Sequence, residues 1–159
     1  MKNLMCILML VSTCLQGYAC TIRDKNSVKQ ELQNDLSYNV KGMKLKITID
    51  GKTATAVLYD NPTTRDFVAQ LPLTVNMDDF GGKEKIFYPP KQLSTAERNA
   101  VSDPKVGDIN VYAPWGNIAV FYGSYSGSRD LIRIGRIIEG IETFDVSGSI
   151  KKVTFELVE

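Results

Sequence analysis

From Met43 onward, apolar and polar residues alternate with the period of a strand. Leu45, Ile47 and Ile49 are interleaved with Lys44, Lys46 and Thr48, the pattern of a ribbon with one face in a core. Asp50-Gly51 follows, a two-residue hairpin signal, because glycine accepts the positive φ of a type I′ turn. The return strand runs from Lys52 to Tyr59, with Ala54, Ala56 and Leu58 on one face. Asn61 and Pro62 then suit the cap and first position of a short helix, with Thr63 and Asp66 offering an alternative capping box. Phe67, Val68 and Leu71 give that helix one apolar stripe, and Pro72 ends it.

Further strands are predicted at Leu73–Met77, Glu84–Tyr88, Val106–Ala113, Ile118–Tyr122, Leu131–Ile138 and Ser149–Val158. Loops are predicted at 78–82, 102–104 and 123–129, and a tight connection at Pro114–Asn117. Ser94–Ala100, with Glu97 three residues after Ser94, and Ile141–Phe144 each have room for a turn or two of helix. Eight short strands with one or two small helices over 43–159 predict a mainly β domain. A closed antiparallel barrel fits, since closure removes exposed edges. A β-sandwich is the competing arrangement.

The N-terminal part follows another pattern. Lys2 precedes an apolar run from Leu4 to Leu15, and Gln16-Gly17-Tyr18-Ala19-Cys20 ends it. The run has the length of a signal-peptide core and is short for a spanning helix of about 20 residues. Gly17 and Ala19 are small residues at the third and first positions before Cys20, which suits cleavage after Ala19. Residues 1–20 are therefore expected to be a signal peptide of lipoprotein type. Diacylated Cys20 would anchor the protein to a membrane through about 0.8 kcal/mol per buried CH₂. Ordinary processing would instead release a soluble periplasmic protein, and a buried N-terminal helix is the third reading. Residues 21–42 are polar and of mixed charge and read as a linker, with Val28, Leu32 and Leu36 spaced for one weak helix.

Composition narrows the chemistry. The net charge is +1, without the basic excess that a nucleic-acid partner requires. Histidine is absent, which removes the commonest general base and most zinc and non-haem iron sites. All three cysteines, Cys6, Cys14 and Cys20, lie in the leader. The domain has no thiol nucleophile, and no metal or cofactor motif is read in it. Asp78-Asp79 lacks the further ligand spacing of a calcium loop.

The segment Gly107-Asp108-Ile109-Asn110-Val111-Tyr112-Ala113-Pro114-Trp115-Gly116-Asn117-Ile118-Ala119-Val120-Phe121-Tyr122-Gly123 resembles the signature of bacterial cyclophilin-like proteins. Asn61-Pro62-Thr63-Thr64-Arg65 running to Leu71-Pro72-Leu73, then Glu84-Lys85-Ile86, and Leu131-Ile132-Arg133-Ile134-Gly135-Arg136-Ile137 fit the same family in the same order. The resemblance implies a closed barrel of eight strands with a small helix at an open end. Cyclophilins are peptidyl-prolyl isomerases whose site combines an arginine, a glutamine, aromatics and a histidine. Their phenylalanine–histidine–arginine and glutamine-glycine-glycine-aspartate stretches are missing here.

Prolyl isomerisation lowers an amide rotation barrier of roughly 18–20 kcal/mol and needs an apolar pocket with a donor, not a nucleophile. Arg65 and Arg129 are the candidate catalytic residues. The candidate ligand-binding residues are Tyr88, Trp115, Asn117, Tyr122 and Tyr125, of which Trp115 and Tyr125 lie in turn-rich segments where large rings line sites. Arg133 reads as exposed, opposite Ile132 and Ile134, and Glu84 as a surface partner of Lys83 and Lys85. The expected role is an exported module that binds a peptide or small molecule. The alternatives are an envelope prolyl isomerase with an arginine-based site and an accessory partner of another envelope protein. Nothing in the pattern specifies an oligomer.

Overall fold

The computed structural model describes residues 42–96, 98, 103–126 and 129–158. The leader with Cys20, nearly all of the linker and the Glu97 capping box lie outside the described residues.

The strands are β1 (Lys44–Ile49), β2 (Lys52–Leu58), β3 (Leu73–Phe80), β4 (Glu84–Phe87), β5 (Asp108–Tyr112), β6 (Asn117–Phe121), β7 (Leu131–Glu139) and β8 (Ile150–Val158). They close into one barrel in the order β1-β2-β7-β5-β6-β4-β3-β8, and every neighbouring pair is antiparallel. The expected barrel is therefore the architecture, and the sandwich is not. Asp50 and Gly51 both have positive φ, 47° and 78°, the type I′ geometry that the dipeptide predicts.

Helix α1 (Pro62–Val68) sits between β2 and β3. Asn61 caps it, its Oδ1 accepting the Thr64 N–H at 2.8 Å, and Pro62 fills the first turn. The helix stops before Pro72 because the chain is tied elsewhere: Gln70 accepts from the Lys91 N–H and donates to its carbonyl, at 2.9 and 3.1 Å. Phe67 is fully buried and meets Phe155 edge-on at 6.1 Å, while Phe155 stacks on Phe87 at 5.1 Å. The helix thus plugs one end of the barrel, a position held by packing rather than by propensity. Gly140, at φ 81°, carries β7 into the 3-10 turn η1 (Ile141–Thr143). A Cβ there would lie 2.7 Å from the Thr53 carbonyl oxygen.

The other end is closed by a charge. Lys85 points inward from β4 with no exposure, although lysine is rarely buried. Its ammonium donates to Asp79 Oδ1 at 2.6 Å and to the carbonyls of Val146 and Gly148 at 2.5 and 2.7 Å. All three of its donors are used. Tyr122 donates to the same Asp79 oxygen at 2.5 Å, and its ring lies 5.1 Å from the Lys85 ammonium. Asp78-Asp79 is therefore not a loop as expected: β3 continues to Phe80, paired Asp78 to Ile86 and Asp79 to Lys85, because the ammonium gives Asp79 an inward partner. The hydrogen bonds from Lys85 and then Tyr122 lower the Asp79 pKa. Burial, reinforced by Asp79, pushes the Tyr122 phenol up to about 12.

Lys85→Met would strand two carbonyls and take the cation from Asp79, leaving it the Tyr122 hydroxyl and the Gly82 N–H, at a cost of about 2–4 kcal/mol. Since the folded Asp79 pKa is depressed below 3.8, that contribution is complete above about pH 4 and is lost on acidification through the folded value. Urea unfolding of the variant and parent at pH 7 and pH 3 should show the gap narrowing at the lower pH.

Candidate functional site

Alternation sends the other half of each strand outward, and on one sector that outer face is also covered. Glu84 and Ile86 of β4, Ala119 and Phe121 of β6, Asn110 and Tyr112 of β5, and Leu131 and Arg133 of β7 lie on it in cross-strand register. Ala119, Phe121 and Leu131 form a second buried cluster, with Ile86 and Tyr112 packed against it. The 122–130 connection is anchored where Tyr122 and Gly123 donate to the Lys83 carbonyl at 3.0 and 2.8 Å. Tyr125 tilts against Phe121 from that loop, with ring centroids 6.1 Å apart.

Between the loop and the β5–β6 turn lies a pocket of about 240 Å³. Phe80, Tyr112, Trp115, Phe121 and Tyr125 supply five aromatic rings, and Glu84, Asn117 and Arg129 supply its polar groups. Trp115 stands almost perpendicular to both Phe80 (5.7 Å, 83°) and Tyr112 (5.4 Å, 81°). It remains 52% exposed, an unusual state for so large a ring held at fixed geometry.

Glu84 is the anomalous group. Only 8% of it is exposed, and it has no hydrogen bond or ion pair among the described residues, Arg129 included. Burial pushes its carboxyl from 4.5 up to about 7, with nothing offsetting the lost hydration. Asn117 is 3% exposed and its Oδ1 has no partner. A buried acceptor without a partner, a rarity inside a fold, thus lines the same small cavity as the Glu84 carboxyl.

Of the residues singled out from the sequence, Trp115, Asn117, Tyr125 and Arg129 share this pocket. Tyr88, 61% exposed, lines a neighbouring hollow of about 370 Å³ with Pro89, Pro114 and the same Trp115. Tyr122 points into the barrel, toward Asp79. Arg65 stands apart: it donates to Asp60 and lines a hollow with Met43, Leu58 and Val68. Arg65 and Arg129 therefore do not face the same pocket.

Two charged residues differ from expectation. Glu84 is no surface partner of its lysine neighbours, because the aromatic loop covers its side of β4. Arg133 is not simply exposed, for its Nη2 lies 2.9 Å from Oδ2 of the fully buried Asp108. Beside it, both amide atoms of buried Asn110 lack partners. No group of three metal-ligating side chains occurs among the described residues. Asp78 and Asp79 are engaged separately, Asp78 by the Ser149 hydroxyl at 2.8 Å.

A family model described as the Cyclophilin-like family matches residues 47–156. The solution structure of a hypothetical protein from Archaeoglobus fulgidus superposes with a TM-score of 0.59 at 22% identity, covering 74% of this chain and 95% of that one. At that identity the likeness speaks for the fold alone. No curated protein matches the chain in sequence.

Because the folded Glu84 pKa lies above its ordinary value, stability is fullest below about pH 4.5 and declines as pH rises through about 7. Glu84→Gln removes that ionisation. It should match the parent near pH 4 and exceed it at pH 8 by about 1–2 kcal/mol, allowing for water in the pocket. Denaturant midpoints at both pH values check this.

Proposed function

The chain belongs to the cyclophilin-like family, and from that premise we propose that it is an exported module that binds a peptide at the aromatic pocket on the outside of its barrel. The observation that carries this reading is the convergence of Trp115, Asn117, Tyr125, Arg129 and Glu84 on one hollow. Rigid aromatic rings with a few unsatisfied polar groups are the usual composition of a ligand site. A pocket of about 240 Å³ falls below the roughly 300–1,000 Å³ of sites for drug-sized ligands and suits one side chain or a small headgroup. The hollow at Tyr88 shares Trp115 with it, so an extended chain crossing that ring would seat neighbouring side chains on either side. This favours a peptide over a compact small molecule.

One observation favours a second reading, prolyl isomerisation. Arg129 lies in a pocket rich in aromatic rings, and a guanidinium beside an apolar hollow is what a twisting amide requires. Arg65 has no part in this, being at a different hollow. The binding reading expects the chymotrypsin-coupled isomerisation of succinyl-Ala-Ala-Pro-Phe p-nitroanilide to run at its uncatalysed rate. An acceleration lost in Arg129→Ala and kept in Arg65→Ala would replace it with the isomerase.

Binding itself is tested by adding pools of acetylated hexapeptides to ¹⁵N-labelled protein. Amide and indole shifts should cluster at Trp115, Asn117, Tyr125 and Arg129. Shifts centred on Arg65, or no shift at millimolar peptide, would overturn the reading. Export is supported by the leader and its small residues before Cys20. Mass spectrometry of protein extracted from membranes should find a diacylated Cys20 at the mature N-terminus, and an unprocessed Met1 would refute export.

A further inference from the structure

The peptide-binding reading leaves open which side chain enters the pocket, and of the two charged residues that line it, Glu84 and Arg129, Glu84 is the buried one. Glu84 is largely withdrawn from water, lines the cavity and has no counter-charge among the described residues. A buried carboxyl in that condition is normally compensated by a donor or a cation. Elsewhere in this barrel that rule is met: Lys85, one residue on, is as deeply buried and has Asp79 and two carbonyls for its three donors. Asp108 has Arg133. Among the described buried carboxylates, Glu84 is the one without a partner, and it is the one that opens on a cavity.

The walls point the same way. Phe80 and Tyr112 meet Trp115 at 83° and 81°, so that rings face the cavity from different directions. An aromatic enclosure with a single carboxylate is a site for an organic cation, held by ring quadrupoles on its sides and by the carboxylate at its head. Arg129 lines the same pocket from an exposed loop position, and among the described residues neither it nor another cation pairs with Glu84.

We infer that the pocket takes an alkylammonium group, the side chain of a lysine in a peptide bound across Trp115, with Glu84 as its counter-ion. This rests on the peptide-binding reading above. The same headgroup occurs in free amines, and the test separates the two sources.

Trp115 is the sole tryptophan, so its fluorescence reports on this pocket and on the Tyr88 hollow that shares its ring. The folded full chain is titrated with acetyl-Gly-Ala-Lys-Ala-Gly-amide, with the same peptide carrying norleucine or glutamate at the centre, and with n-butylammonium. The lysine peptide is expected to bind at least about tenfold more tightly than the norleucine peptide, which lacks only the ammonium group. In Glu84→Gln the preference should fall to about threefold or less. Binding of n-butylammonium as tight as that of the lysine peptide would assign the site to free amines; weaker binding would assign it to a lysine in a chain. Equal affinity for lysine and norleucine peptides, or a preference for glutamate, overturns the cation while leaving peptide binding intact. No response to any probe overturns both. The norleucine comparison is made on the parent protein and does not depend on how the variant folds.

Discussion

A β-strand sends successive side chains to opposite faces, and in β4 this rule separates two neighbouring charges into two different surroundings. Lys85 turns into the barrel and Glu84 turns out, yet both lose their water. The ammonium finds a carboxylate and two carbonyls and closes an end of the barrel. The carboxyl finds aromatic rings and an open cavity. A register slip of one residue would exchange the two and leave a bare cation outside and an acid in an apolar core. The pairing of β4 with β3 and β6 therefore sets both the closure of the barrel and the character of its pocket.

The energetic consequences of the two burials differ. A fully hydrogen-bonded buried charge is neutral or modestly favourable once its partners are in place. An unpartnered one costs stability, and the protein carries that cost where a ligand has access. The barrel tolerates it because the rest of the core is well packed: Phe67, Phe87 and Phe155 interlock beneath α1, and the strands contribute a continuous inner layer of Leu, Ile and Val. Strain of this kind, held on rigid strands rather than on a mobile segment, is how a scaffold preorganises a site.

What was legible in the sequence was local. The alternation of Leu45, Ile47 and Ile49, the Asp50-Gly51 turn and the Asn61-Pro62 cap each act within a few residues, and each has the conformation its chemistry demands. Trp115, Tyr125 and Arg129 stood out because large or charged residues in turns need a reason to be there. What was not legible depended on distant chain. Whether Asp78-Asp79 was loop or strand turned on Lys85, and whether Glu84 was wet or dry turned on a loop some 40 residues away that folds over its face. Tyr122 was separated from the other aromatics by parity, turning inward to Asp79, and no local pattern reveals that.

Glu84 is a largely desolvated carboxyl without a partner among the described residues, at the wall of a cavity. Its titration can be followed directly by ¹³C NMR of protein labelled at the glutamate side-chain carboxyl, with Glu84→Gln assigning the resonance. A midpoint near 7 is expected. A midpoint at the ordinary value near 4.5 would mean that water or a partner already satisfies the group, and would contradict the account.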